Sequence, residues 1–314
     1  MGTQERFTID CDVRPEFTAC YLRTAGDQCA FIETHTSRAV PRLLAALTDR
    51  GRRPEDVRWI VVTHAHLDHA AGAGVLLARC PNATVLAHPR AARHLVDPSK
   101  LVASATSVYG VDRFAELYGK IEPIPQARMR ALDDGETFDL GGAELRVRHT
   151  AGHAKHHMII DDPATSSVYT GDSFGLVYPA LQRGARFAIA STSPTDFDAA
   201  EARKSIDTIV GLGERQACLT HFGPIADIVE VASQLRGWID RSEEWLEAAA
   251  KSDDDLPAMT AALERKIRDA MIDDAAGRGL SLDERDLDLL SLDIELNAQG
   301  LAFVAARRRA APAH

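Results

Sequence analysis

Apolar and polar residues follow two different periodicities along this chain, and these periodicities predict its secondary structure. A near-continuous apolar run over residues 57–63 indicates a strand buried on both faces, and residues 143–149 alternate as a half-exposed strand does. Residues 17–22 and 29–33 are typical of short strands on either side of a Gly-Asp turn. Apolar residues recur at helical spacing over residues 68–79, and a serine, a proline and an acid predict another helix over residues 193–210. Strands that alternate with helices predict an α/β fold.

The chain after Pro224 has a different pattern, because helical periodicity continues there with few turn signals. The helices predicted in this part cover residues 225–250, 256–272 and 283–308. We therefore predict an α/β domain over residues 1–224 and a helical C-terminal extension over residues 225–314. The length of 314 residues suits one large domain with an appendage.

Composition narrows the classes of partner and the compartment. The formal net charge is −10, whereas nucleic-acid binders usually carry a basic face for phosphate contacts, so we expect no nucleic-acid partner. No run approaches the length of a transmembrane span, and the N-terminal region has no apolar signal core. We therefore expect a cytoplasmic protein without a membrane partner. Scattered cysteines without a CxxC pair argue against disulfides and against a thiolate zinc site.

The strongest chemical signal is a cluster of three histidines and one aspartate that directly follows the strand predicted over residues 57–63. Residues two apart in a strand point to the same side, so His64 and His66 can meet one metal ion. Asp68 and His69 lie past the turn, at the start of a helix, and can face a second ion. The spacing therefore predicts two metal ions rather than one.

Three later residues can complete such a site, because each follows an apolar strand run. His153 and Asp172 both come directly after a glycine, and His221 ends the last predicted strand. Strand ends of an α/β sandwich gather at one edge of its sheets, which would bring these side chains together. His149 and His156 lie near the predicted ligands, where they would either fix the tautomer of a ligand or have a plain structural role.

The full pattern, HxHxDH followed by GH, GD and a final H, resembles the metallo-β-lactamase superfamily over about residues 17–223, and within it the glyoxalase II branch. The resemblance implies a four-layer αββα sandwich with a helical C-terminal extension and a dinuclear metal site. It assigns His64, His66 and His153 to the first ion, Asp68, His69 and His221 to the second, and Asp172 to a bridge between them. Zinc is the metal that we favour, and iron and manganese accept the same ligands.

The resemblance also implies a reaction. Two ions flanking a water would lower its pKa toward about 7, and the hydroxide would attack a carbonyl. Asp68 would orient that water or accept its proton, which makes it the candidate catalytic residue. We expect a small-molecule thioester, ester or lactone as substrate. The segment after Asp172 is predicted to overhang the metals, so Tyr178 and Phe187 are candidate substrate contacts.

Several other functions remain compatible with the sequence. A mononuclear-iron sulfur dioxygenase resembles the same branch, although the retained second-metal ligands favour hydrolysis. A regulatory protein that binds a partner would also use this fold with a helical extension, and the extension would alternatively wall the substrate pocket or form a homodimer interface. A nuclease is disfavoured by the acidic balance and by the lack of a basic run.

Overall fold

The computed structural model describes residues 4–11, 14–193 and 196–310. Its strands are β1 Gln4–Asp10, β2 Ala19–Ala25, β3 Gln28–Ile32, β4 Val57–Val61, β5 Thr84–Ala87, β6 Met129–Ala131, β7 Thr137–Leu140, β8 Ala143–His149, β9 Met158–Asp162, β10 Ser167–Leu176, β11 Gln216–His221 and β12 Gly223–Ile225. Its α-helices are α1 Val40–Thr48, α2 Leu67–Ala70, α3 Ala73–Arg79, α4 Pro89–Val96, α5 Ser99–Tyr109, α6 Val111–Tyr118, α7 Ala199–Gly211, α8 Ile228–Lys251, α9 Leu256–Gly277 and α10 Glu284–Ala310. Short 3₁₀ turns lie at Pro54–Asp56, Gln126–Arg128 and Pro179–Leu181.

The chain divides into two compact units, and the first comprises Met1–His149, His156–Gly171 and Glu214–Ala226. Two six-stranded sheets, ordered β1-β2-β3-β4-β5-β6 and β12-β11-β10-β9-β8-β7, belong to this unit except for the end of β10. Strands β3 to β6 run parallel, whereas β1, β2 and β3 are antiparallel neighbours. The carboxyl ends of β3, β4 and β5 therefore meet at one edge of the first sheet.

Both faces of the first sheet are buried around its inner strands β3 and β4, which explains the continuous apolar run over β4. Ile60 packs in a cluster with Leu43 of α1 and Leu76 of α3, on the helical side of the sheet. Val61, the next residue, packs in a second cluster that includes Leu145 of the other sheet. Because successive side chains of a strand point to opposite faces, both neighbours must be apolar. The first unit thus has a helical layer and two sheets packed face to face.

The second unit comprises Thr150–Lys155, Asp172–Gly213 and Asp227–His314. It contains the helices α7 to α10, and α8 to α10 confirm the helical C-terminal extension that the periodicity predicted. The helices bury regularly spaced apolar residues, as amphipathic helices in a packed unit do. These units are a different division of the chain from the predicted boundary after residue 224, which stays a prediction.

Two helix predictions need correction. The helix predicted over residues 68–79 is broken into α2 and α3, because the N–H of Gly72 donates to the carbonyl of His35. The helix predicted from residue 193 begins instead at Ala199, where the side chain of Asp198 accepts a hydrogen bond from the N–H of Glu201. Pro194 and Thr195, two residues of the predicted start, lie outside the described residues. A side chain that satisfies a free N–H outweighs the sequence signal at Ser193.

By length and hydropathy alone, α10 is compatible with a membrane span, contrary to our expectation that no segment would be. Half of its most apolar 18-residue window is buried inside the protein. Core helices of water-soluble proteins have the same composition, so the composition of α10 gives no argument for a membrane.

Candidate metal centre

The HxHxDH motif lies at the carboxyl end of β4, where the chain turns into α2. His64 is fully buried, and its Nε2 lies 2.6 Å from Nδ1 of His66. Asp68 and His69 follow in α2, and the side chain of Asp68 is 44% exposed while that of His69 is buried. The short turn between β4 and α2 thus gathers all four predicted ligands of the motif at one sheet edge.

The structure also brings His221 to this motif within the first unit. The donor atoms of Asp68, His69 and His221 all lie within 4.8 Å of one another. Oδ2 of Asp68 is 3.5 Å from Nε2 of His69 and 3.6 Å from Nε2 of His221. Ligand atoms around a tetrahedral zinc ion lie about 3.4 Å apart, because each bond is about 2.1 Å long. The three residues therefore fit a divalent ion in chemistry and in spacing.

The remaining nitrogens of these histidines contact oxygens. Nδ1 of His64 lies 3.0 Å from the hydroxyl of Thr63, and Nδ1 of His221 lies 3.2 Å from the carbonyl of Phe17. Nδ1 of His69 lies 3.2 Å from Oε1 of Glu33. A hydrogen bond at one ring nitrogen sets the tautomer and the ring orientation, which leaves Nε2 for a metal.

Glu33 is a residue of this site that the sequence analysis missed. It is buried directly after β3, and its backbone φ of 67° lies in the left-handed region that residues other than glycine rarely adopt. Its carboxylate accepts a hydrogen bond from the hydroxyl of Thr63, and Oε2 has no hydrogen-bond partner among the described residues. The available signal was an acid at the end of a buried strand, beside the strand that carries the motif.

His153 and Asp172 lie together in the second unit. Both are buried, and Nε2 of His153 is 3.4 Å from Oδ2 of Asp172. Nδ1 of His153 lies 3.2 Å from the hydroxyl of Ser191, so this histidine has the same arrangement as those of the first unit. The pair borders a small cavity in this unit, whose other walls include Ile206 and Leu235. These two ligand candidates therefore line a small cavity with a partly apolar wall.

The glycines of the GH and GD motifs have a steric role. A Cβ on Gly152 would lie 2.3 Å from the backbone nitrogen of Ala202, and Gly152 has a φ of +113°. A Cβ on Gly171, which has a φ of +49°, would lie 2.6 Å from the hydroxyl oxygen of Thr63. Only glycine fits these close approaches, so the motif glycines shape the backbone that carries His153 and Asp172.

The two histidines predicted beside the ligands differ in their surroundings. His156 lies within the first unit beside the motif, with its ring centre 6.0 Å from that of His64 and 5.3 Å from that of His66. His149 instead packs against His88 and has its Nε2 2.9 Å from the carbonyl of Leu132. Burial, together with the neighbouring His149 and His156, lowers the pKa of His88 to about 4.

The predicted substrate contacts Tyr178 and Phe187 are both buried in the second unit. The hydroxyl of Tyr178 lies 3.1 Å from Oδ2 of Asp293 on α10. The structure thus gathers one group of predicted ligands in each unit. That the two groups share one dinuclear site remains a prediction of the family resemblance.

The sequence profile of the Metallo-beta-lactamase superfamily matches residues 13–221. This match covers more than half of the chain, and the chain belongs to that superfamily. It carries clusters of histidine, aspartate and glutamate that could hold a divalent metal, as proteins of this fold typically do.

Named relatives are distant. A metallo-beta-lactamase fold-containing protein of Sulfurisphaera tokodaii is 29% identical over 173 residues, which cover 54% of this chain and 61% of that protein. A thioesterase of Emericella nidulans is 26% identical over 160 residues, which cover 50% of this chain and 35% of that protein. The matched regions therefore span less than two thirds of both relatives.

Solved structures show the same fold over nearly the whole chain. An archaeal metallo-beta-lactamase superfamily protein from Sulfolobus tokodaii has a TM-score of 0.66 at 21% identity, and the match covers 95% of this chain and 98% of that one. A metallo-beta-lactamase family protein from Thermus thermophilus has a TM-score of 0.64 at 21% identity, with 96% and 93% covered. The predicted fold class, an α/β sandwich with C-terminal helices, is confirmed.

Proposed function

We propose that the protein is a metal-dependent hydrolase that holds two divalent ions and cleaves a small-molecule thioester, ester or lactone. The observation that carries this proposal is the convergence of Asp68, His69 and His221, whose donor atoms lie within 4.8 Å of one another. Two of these residues come from the motif after β4 and the third from the end of β11, so the fold brings together a set of side chains that could hold a metal ion.

The candidate ligands would form two sets, one for each ion. His69 and His221 would bind an ion through Nε2, because an oxygen acceptor lies at Nδ1 of each ring. His64 and His66 would bind the other ion together with His153, and Asp172 would join the two sets as the resemblance implies. When bound, divalent ions supply a water of lowered pKa and polarise a carbonyl oxygen.

Asp68 has the role of proton handling in this proposal. Its side chain is 44% exposed, whereas the histidines beside it are buried. A partly exposed carboxylate within reach of both ligand nitrogens can orient a water and pass its proton to solvent. We expect Asp68→Asn to reduce turnover by about a hundredfold or more, in line with the loss of a general base.

The thioesterase among the relatives supports the choice of bond, at an identity that leaves the substrate open. The decisive experiment combines metal analysis of the purified protein with a panel of thioesters, esters and lactones. We expect about two divalent ions per chain and turnover of at least one class. One iron per chain with oxidation of a persulfide would replace this proposal with a sulfur dioxygenase, and full metal content without turnover would favour partner binding.

Two matched variants test the ligand assignment. Asp172→Ala should lower the metal content to well below one ion per chain, because a bridging ligand serves both ions. Asp112→Ala removes an acid from the first turn of α6 and should leave metal content and turnover unchanged. Retention of one ion at full strength by Asp172→Ala would contradict the bridge. A cytoplasmic location and a homodimer belong to the same proposal and need separate measurements.

A further inference from the structure

The backbone on either side of Ser191 is hydrogen-bonded to a buried side chain of the C-terminal extension. Asn297 of α10 is 5% exposed, and its Oδ1 accepts hydrogen bonds from the backbone N–H of Thr192 at 2.7 Å and from the Thr192 hydroxyl at 3.1 Å. Its Nδ2 donates to the carbonyl of Ala190 at 3.3 Å. One amide thus holds both chain neighbours of Ser191.

The chemistry of this contact requires an amide. The carbonyl of Ala190 offers only an acceptor, and the N–H of Thr192 offers only a donor, so the partner must donate on one side and accept on the other. Asparagine does both in one plane. Aspartate keeps the acceptor for Thr192 and loses the donor for Ala190, and leucine of similar size loses both.

The residue held between these contacts bears on the candidate metal ligand. The hydroxyl of Ser191 lies 3.2 Å from Nδ1 of His153, whose Nε2 lies 3.4 Å from Asp172. A hydrogen bond at Nδ1 orients the ring of a ligating histidine and raises its affinity for metal. The position of the Ser191 hydroxyl in turn depends on its flanking peptides, which Asn297 fixes.

We propose that Asn297 is a positioning residue for His153, acting through Ser191, and that the C-terminal extension thereby sets the affinity of the metal that His153 would bind. This inference rests on the proposed role of His153 as a metal ligand. It assigns a function at the metal site to a side chain 106 positions away from Ser191 in sequence.

The same segment offers a matched control. Gln234 of α8 uses its amide in the same way, because Oε1 accepts from the N–H of Ala188 at 2.9 Å and Nε2 donates to the carbonyl of Arg186 at 2.9 Å. These contacts lie upstream of Ser191. Gln234→Leu therefore removes an equivalent buried amide that contacts the same segment, and it leaves the neighbours of Ser191 untouched.

The experiment is a zinc titration of the metal-free, full-length protein against a competing chelator, with thermal unfolding of each variant as a second measurement. Ser191→Ala and Asn297→Leu should each lower the affinity of one zinc ion by about tenfold. The double variant should bind zinc no more weakly than Ser191→Ala alone, because Asn297 acts through the missing hydroxyl. Gln234→Leu should lower the unfolding temperature and leave zinc affinity unchanged.

Several results would overturn the inference. Effects of Ser191→Ala and Asn297→Leu that add fully in the double variant would show that Asn297 acts by another route. An equal loss of zinc affinity in Gln234→Leu would show a general effect of segment stability. If Asn297→Leu does not fold, Asn297→Asp replaces it in the titration. Unchanged zinc affinity in Asn297→Asp would contradict a role for the hydrogen bond that Asn297 donates to Ala190.

Failure of the proposed function gives a different pattern. A wild-type protein that binds two zinc ions but cleaves no substrate would end the hydrolase proposal and leave the role of Asn297 intact. A His153→Ala variant with unchanged zinc affinity would remove the ligand on which this inference depends, and would overturn it.

Discussion

Replacing Glu33 by glutamine should weaken metal binding without weakening the metal-free fold. The carboxylate of Glu33 contacts Nδ1 of His69 at 3.2 Å and accepts from the hydroxyl of Thr63, and it is 1% exposed. A charge-assisted hydrogen bond contributes about 1.5–3 kcal/mol. Glutamine keeps one acceptor and loses the charge, so the affinity for the ion held by His69 should fall about 10-fold to 100-fold.

The metal-free protein should respond in the opposite direction. A buried carboxylate with one oxygen lacking a hydrogen-bond partner among the described residues carries an uncompensated desolvation cost. Removing the charge of Glu33 relieves part of this cost. We therefore expect the free energy of unfolding of metal-free Glu33→Gln to equal that of the wild type or to exceed it by about 1 kcal/mol.

The assay pairs zinc competition with a chelator and urea unfolding in the presence of EDTA. Glu116→Gln is the control, because Glu116 is an exposed acid paired with Arg113 on α6. Unchanged zinc affinity in Glu33→Gln would refute the reasoning. A metal-free variant destabilised by several kcal/mol would refute it too, since Glu33 would then be a structural residue and not a positioning residue.

Three further predictions concern stability. Burial lowers the pKa of His88 to about 4 from its ordinary value near 6.5, so folding stability is lost as the pH falls from 6.5 to 4. Urea unfolding at pH 7.5 and at pH 4.5 measures this loss, and His88→Asn should reduce it by at most about 2 kcal/mol. Burial raises the pKa of Glu214 to about 6, so the contribution of this residue to folding stability is lost as the pH rises through 6. The free energy of unfolding of Glu214→Gln should therefore exceed that of the wild type by less than about 1 kcal/mol at pH 8 and equal it near pH 4.5. Asp162→Ala should lower the free energy of unfolding by about 3–5 kcal/mol, because it leaves Arg23 buried without its ion-pair partner. The double variant Arg23→Met, Asp162→Ala should regain part of this stability in the same assay, and the absence of any gain would contradict the prediction.

The candidate ligands of the first unit, which the structure brings together, could be found in the sequence because their signals are local. His64 and His66 share the spacing of a strand end, and β4 is recognisable from its apolar run. His221 needed the further assumption that β11 ends at the same edge, which the fold provides. Patterns within one element, or at the end of one, are what a single sequence records.

The residues that contact the candidate ligands or their neighbours could not be predicted in the same way. Glu33 precedes its histidine partner by 36 positions, and its role depends on the pairing of β3 with β4. The contact of Thr192 with Asn297 joins positions 105 apart through an irregular segment and a helix that has no distinctive motif. Such contacts arise from tertiary packing, and hydrophobic periodicity contains no information about which polar side chains meet.

Ion pairs connect the C-terminal extension to the segment that precedes α7. Arg183 forms a bidentate pair with Asp286 at the start of α10, and Arg186 forms another with Asp227 before α8. Asp286 is buried, and the pair with Arg183 lowers its pKa. Loss of Arg183 would leave the buried carboxylate of Asp286 without its ion-pair partner, so this pair connects α10 to the segment. The inner face of α10 packs within the unit that contains His153 and Asp172. If the protein were regulatory and bound a partner through its extension, that partner would therefore have to contact the outer faces of the helices.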